Sequence, residues 1–139
     1  MKAFTDIEQS KKLAEILPVE SADAFYDMAE PEKRQVPIIG NPDDYYDMED
    51  WTISCWSLAA LLEVLPNEIS TGENFANKYQ IDIRKYDGGD GTTWYQIAYG
   101  NDRGSSGEWH DMINTGEKEN IIDCCYQMIV RLKEKDLLK

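Results

Sequence analysis

Cys55, Cys124, Cys125 and His110 are the residues of this chain whose types could support covalent or metal chemistry. A cysteine beside an imidazole makes a nucleophile–base pair, and Asp111 would be its orienter only by adjacency. No spacing brings a cysteine to His110, so a surface histidine beside Trp109 on a strand or loop is the simpler reading. One histidine excludes His-rich metal sites and any mechanism that needs two imidazoles, although a lone base can work. Cys124 and Cys125 fall inside an amphipathic pattern, where helical neighbours point about 100° apart, and they read as small core hydrophobes. Three cysteines without C-x-x-C spacing form no zinc site. No metal and no cofactor is expected.

Carboxylates are the other candidates. Asp43, Asp44, Asp47, Glu49 and Asp50 crowd the stretch from Asn41 to Asp50, which contains no base. The stretch fails the D-x-[DN]-x-[DN]-G loop that calcium requires, and so does "DGGDG". Two carboxylates could serve a hydrolase as acid and base, but with 27 acids in the chain their presence selects no pair. Tyr45, Tyr46 and Trp51 stand among these acids, and aromatic anchors inside an anionic rim make a docking surface for a basic protein. A solvated loop is the plainer alternative. The glycine-rich "DGGDG" and "NDRGSSG" lack the lysine and following helix of a phosphate-binding loop, so they read as a hairpin turn and a flexible connection.

A net charge of −13 narrows the partners. Nucleic-acid affinity comes from basic residues displacing counterions at phosphates, and the basic pairs Lys11-Lys12, Lys33-Arg34 and Arg84-Lys85 are short and scattered. Direct nucleic-acid binding is therefore not expected, and an acidic surface attracts basic partners instead. The aromatics Tyr79, Tyr86, Trp94, Tyr95 and Tyr99 could stack bases; the charge argues for core and cross-strand pairing. The longest apolar run is far below the ~20 residues that span a bilayer, so no membrane association is expected. "MKAFTDIEQSKK" lacks the apolar core of a signal peptide, and an odd cysteine count gives no disulfide framework. A reducing cytoplasm is the expected location.

The elements that must position these residues follow from periodicity. At 139 residues the chain fits one domain. Thr5-Asp-Ile-Glu8 reads as a capping box for a helix running to about Leu17, ahead of Pro18. Strands at about Ala24–Ala29 and Gln35–Ile39 flank a turn at Glu30-Pro31-Glu32-Lys33, with Pro37 marking an edge or bulge. In "CWSLAALLEVLP" Leu58, Leu61, Leu62 and Leu65 share a face while Ala59, Ala60 and Val64 cover most of the rest. A helix apolar nearly all round is buried on several sides, which predicts a central helix. "NKYQIDIRKY" and "TTWYQIAYG" alternate about "DGGDG" as a hairpin, and "EWHDMIN" adds a short strand. Glu119 to about Glu134 forms a helix with Ile121, Cys124/Cys125, Met128/Ile129 and Leu132 at core spacing, capped by Asn114, Thr115 or Gly116. The predicted fold is α+β, helix-hairpin-helix-hairpin-helix (αββαββ(β)α), with an antiparallel sheet packed against helices. The "LAEILP" and "LAALLEVLP" runs that precede the two hairpins are read as one local solution used twice, and an internal duplication is the other explanation.

"FTDIEQSKKLAEILPVESAD" and "WSLAALLEVLP" resemble a family of small uncharacterised proteins from gut anaerobic bacteria and their phages. Members share the Phe-Thr-Asp-Ile-Glu opening, the Trp-Ser-Leu-Ala-Ala-Leu-Leu helix and an amphipathic terminal helix. This chain has Ser54-Cys55 where relatives tend to have Pro-Ala before the tryptophan. The resemblance implies an accessory protein of a phage or mobile element and assigns no residue roles. The resulting expectation is a non-enzymatic protein that binds a basic partner, in the manner of a nucleic-acid mimic, through Asp43, Asp44, Tyr45, Tyr46, Asp47, Glu49, Asp50 and Trp51. A small-ligand-binding domain or hydrolase, with its pocket between the second hairpin and the helices, is the alternative. Homo-oligomerisation through the aromatic hairpin face or the Pro37 edge is a third.

Overall fold

The computed structural model of the chain describes residues 2–29, 36–41, 51–72, 77–104 and 107–138. Among them are three α-helices and seven strands arranged in two antiparallel sheets. The fold is α+β, with two compact units at residues 1–64 and 65–139. The single sheet expected from the sequence is replaced by two, because each side of the second helix carries a short strand that periodicity does not reveal. Among the described residues no helix is long and apolar enough to cross a membrane.

The first unit opens with α1, Ile7–Ala14. Its N-cap is Asp6, one residue later than expected: Asp6 Oδ1 accepts the Gln9 N–H at 2.8 Å and Gln9 Oε1 accepts the Asp6 N–H at 3.2 Å. Thr5 is withdrawn from capping because its hydroxyl accepts the Trp56 N–H at 3.1 Å and meets Ser10 Oγ at 2.8 Å. The Thr5 carbonyl also takes the Tyr26 hydroxyl at 2.7 Å. A fully buried threonine thus ties Ser10, Tyr26 and Trp56 together, and a buried polar group so satisfied is stabilising. The helix ends at Ala14 rather than near Leu17, although Leu17 N–H still reaches the Leu13 carbonyl at 2.8 Å before Pro18.

Strand β1 is Ala24–Asp27, β2 is Ile38–Ile39 and β3 is Thr52–Cys55, in the order β2-β1-β3. The β1–β2 pair is the expected first hairpin, shortened at both strands; its turn at residues 30–33 lies outside the described residues. The third strand is one that the sequence reading did not contain. Gly40 N–H donates to the Asp23 carbonyl, so alternation turns the backbone of Ile38 toward β1 and that of Pro37 and Ile39 outward. Pro37 therefore sits where no sheet N–H is needed. Ala24, Tyr26 and Cys55 form a buried cluster against which Phe4, Ile7, Met28 and Ile53 pack.

Helix α2 is Leu58–Val64. Asp23 Oδ1 accepts the Ser57 N–H at 2.9 Å, Asp23 Oδ2 takes the Ser57 hydroxyl, and Ser57 Oγ accepts the Ala60 N–H at 3.2 Å. Ser57 is thus the cap and Asp23 its support. Ala60 and Leu61 are buried, but Ala59 and Glu63 are exposed and Leu62 is 38% exposed. The expected all-round burial is corrected: α2 is an ordinary amphipathic helix with one open side.

The second unit is a four-stranded meander, β4 (Glu68–Ser70), β5 (Lys78–Asp87), β6 (Thr93–Asn101) and β7 (His110–Asn114), followed by α3 (Ile121–Glu134). The long hairpin and its added strand appear as the alternation predicts, and β4 is an addition. Asn120 caps α3, its Oδ1 accepting the Ile122 N–H at 2.9 Å, in place of the residues four to six positions earlier. Ile122, Cys124, Cys125, Met128, Ile129 and Leu132 are buried on the helix, and Tyr95, Ile97 and Tyr99 are buried on β6. Cys124 Sγ donates to the Tyr95 carbonyl at 3.3 Å, which fixes α3 over this face of the sheet. The layer between hairpin and α3 is core.

The two sheets differ in strand number and order, three strands around β1 against a four-strand meander. The repeated Leu-Pro helix endings therefore mark a shared local stop, and the folds that follow them are unlike.

Candidate functional site

Of the docking residues named from the sequence, Asp43, Asp44, Tyr45, Tyr46, Asp47, Glu49 and Asp50 lie outside the described residues. Trp51 is described and 57% exposed, and its carbonyl accepts the Met28 N–H at 2.6 Å at the start of β3. Val36, 68% exposed, precedes β2 on the other flank of β1 at the same end of the sheet, as the registers Phe25–Ile38 and Asp27–Thr52 require. Ile39, also 68% exposed, lies farther along β2. This sheet and its flanks thus carry three exposed large apolar residues. Charge concentrates in the same unit. Residues 1–64 hold fourteen acids against five bases, a net −9, while residues 65–139 hold thirteen against nine, a net −4.

The cysteines are buried thiols. Burial, followed by the nearby Asp23 charge, pushes Cys55 up to about 12, and burial does the same to Cys125. Cys124 is raised by burial as well. A thiolate nucleophile needs the opposite shift. Cys124 meets β6 at Tyr95, whereas His110 pairs with Asn101 six residues along that strand, about 20 Å away at strand rise. The sequence-suggested Cys124–His110 pair is not assembled.

The outer face of the second sheet holds a polar network that the sequence reading did not contain. Register places Asp82, Arg84 and Tyr86 of β5 on this face, with Trp94, Gln96, Ala98 and Gly100 of β6 beside them. Arg84 donates through Nη2 to Asp111 Oδ1 at 2.6 Å and through Nη1 to Asp111 Oδ2 at 3.0 Å. Its Nε reaches Asp82 Oδ2 at 2.7 Å and its Nη1 also reaches Gln96 Oε1 at 3.1 Å. Gln96 Nε2 donates to Asn114 Oδ1 at 2.9 Å, and Asn114 Nδ2 and Trp109 Nε1 each donate to Asp111 at 2.8 Å. Bidentate pairing of this kind is the strongest common ionic contact. The Arg84 hydrogen bonds, with those of Asn114 and Trp109 behind them, hold the Asp111 carboxyl down at about 2, and the Arg84 guanidinium is raised in turn.

Three residues separate Asp111 from Asn114, so a regular strand would turn them to opposite faces. The register shifts between Tyr99 and Gly100, leaving Met112 as the extra residue of a bulge, and both side chains return to the outer face. Two glycines shape the same surface. A Cβ on Gly100 would fall on the His110 carbonyl oxygen and within 2.7 Å of Trp109 Nε1, and one on Gly88 within 2.7 Å of Trp94 Cδ1. Each glycine is a seat for an indole. Ala98, small and fully buried, lies beneath the network formed by its cross-strand partners Asp82 and Asn114 together with Arg84. No sequence signal short of the bulge itself would have gathered these residues.

Compared with known protein families, curated proteins and solved structures, the chain matches none.

Proposed function

We propose that the chain is a non-enzymatic binding protein whose first unit docks a basic protein. The observation that carries this reading is the excess of fourteen acids over five bases in residues 1–64, beside the exposed Trp51 and Val36 at one end of a small sheet. Anionic fields steer and orient basic partners, and a few aromatic or aliphatic anchors supply the affinity. The raised, buried thiols support the assignment by removing the strongest nucleophiles from use. Like charge opposes self-association through this end of the small sheet. Free cysteines suit a reducing cytoplasm, and the resemblance to small proteins of gut anaerobes and their phages supports a role as a mobile-element accessory factor.

The test is retention on immobilised chain of basic proteins from a nuclease-treated bacterial lysate, eluted along a salt gradient. Retention should fall steeply with salt and disappear in Asp43→Lys/Asp44→Lys/Asp47→Lys and in Trp51→Ala. Undiminished retention by the triple charge reversal refutes the docking site.

A further inference from the structure

The outer face of the second sheet sets flat rings and flat polar groups side by side. Trp109, 41% exposed, rests on Gly100, and the half-buried Trp94 rests on Gly88. Six residues of β6 separate Trp94 from Gly100, about 20 Å at strand rise. Between them stand the Gln96 and Asn114 amides, the Arg84 guanidinium and the Asp82 and Asp111 carboxylates, locked by their mutual hydrogen bonds. The two amide groups and the guanidinium each carry one hydrogen beyond those the network uses, and the carboxylate oxygens accept more than one donor.

We propose that this face binds a neutral carbohydrate chain, its pyranose rings stacking on Trp109 and Trp94 and its hydroxyls bonding Gln96, Asn114 and the Arg84–Asp111 pair. The C–H face of a sugar ring carries slight positive charge and meets the negative face of an indole. A hydroxyl both donates and accepts, which matches a surface that offers both in fixed positions. Charge selects an uncharged ligand. Arg84 is held between Asp82 and Asp111, so its cation is already matched, and the net −13 of the chain repels phosphate or uronate polymers. An open sheet face suits a polymer rather than a small apolar molecule, which would need enclosure. Because the network is built before the ligand arrives, little ordering cost attends binding. The proposal rests on residues of the second unit alone and does not depend on the docking reading.

Native gels cast with soluble starch, a mixed-linkage β-glucan, arabinoxylan or galactomannan test the proposal, with polygalacturonate as the anionic comparison. At least one neutral polymer should retard the full chain. Trp109→Ala and Trp94→Ala should each weaken that retardation by about tenfold, the worth of one ring contact. Trp109→Phe should restore most of it, and Trp51→Ala should leave it unchanged. If an alanine variant melts early, indole emission of the native protein titrated with oligosaccharides of the retarding polymer gives the answer on an intact fold. Migration unaffected by every neutral polymer overturns the proposal. So does retardation that survives loss of both indoles, or equal retardation by polygalacturonate.

Discussion

Replacing Gly100 by alanine examines the outer sheet face at its tightest point. The added methyl would fall on the His110 carbonyl oxygen and stand 2.7 Å from Trp109 Nε1 and 2.9 Å from Trp109 Cε2. The indole can swing away, but the carbonyl is backbone and moves only if β7 separates from β6 at the bulge. Overpacking of this kind costs about 1–3 kcal/mol, and the backbone obstacle puts Gly100 at the upper end. Displacing the indole also removes its hydrogen bond to the Asp111 carboxylate, worth about 1.5 kcal/mol for a charged acceptor in a partly exposed site. Alanine restricts the unfolded chain and returns about 0.4–1 kcal/mol. The net is a loss of about 3.5–4 kcal/mol, or a fall in Tm of about 14–16 °C at about 4 °C per kcal/mol for a chain of this size. Thermal unfolding followed by circular dichroism measures it, with Gly104→Ala as control, since a methyl there meets nothing nearer than 3.7 Å. If Gly100→Ala melts within about 2 °C of the control, a difference of under 1 kcal/mol, the packing of Trp109 on Gly100 is wrong.

Three further outcomes are expected. Asp6→Ala should cost about 1 kcal/mol as a lost cap, whereas Thr5→Val should cost more, about 2–3 kcal/mol, by stranding the buried Trp56 N–H and removing the partner of the Ser10 hydroxyl; urea denaturation of both variants decides which residue caps and which ties the core. Asp111 lies below its ordinary carboxylate value of 3.8, at about 2, so its contribution is complete above pH 4 and disappears as the pH falls toward 2. Carboxyl titration by NMR should show that low midpoint, and Arg84→Met should return it toward the ordinary value. All three thiols should resist an aromatic disulfide reagent at pH 8 in the folded protein and react together in denaturant, because each is buried and its thiol form is favoured.

Long periodic stretches were legible in the sequence. The β5–β6 hairpin repeats its alternation over ten and nine residues, and α3 keeps its core spacing for fourteen, so neither needed tertiary knowledge. Strands of three or four residues, β3 and β4, hold too little alternation to separate from a connection. The capping box was read one residue early because the pattern S/T-x-x-E fits Thr5, and nothing local reveals that Trp56 claims its hydroxyl. Leu62 was assigned to the core by composition, although α2 leaves that side open. Of the residues named for docking only Trp51 is described, and it is exposed. The polar face was invisible for a different reason: Arg84 and Asp111 are 27 residues apart, and only the bulge at Met112 brings Asp111 and Asn114 to one side.

The proline at position 37 also determines how these molecules behave in a crowd. The β2 edge of the first sheet offers an incoming strand the N–H of Ile39 and no donor at Pro37, since within residues 37–40 those two point their backbones away from β1. A visiting chain would lose its second rung at once. The β2 edge can therefore display Val36 and Ile39 to solvent while giving an incoming strand little to pair with.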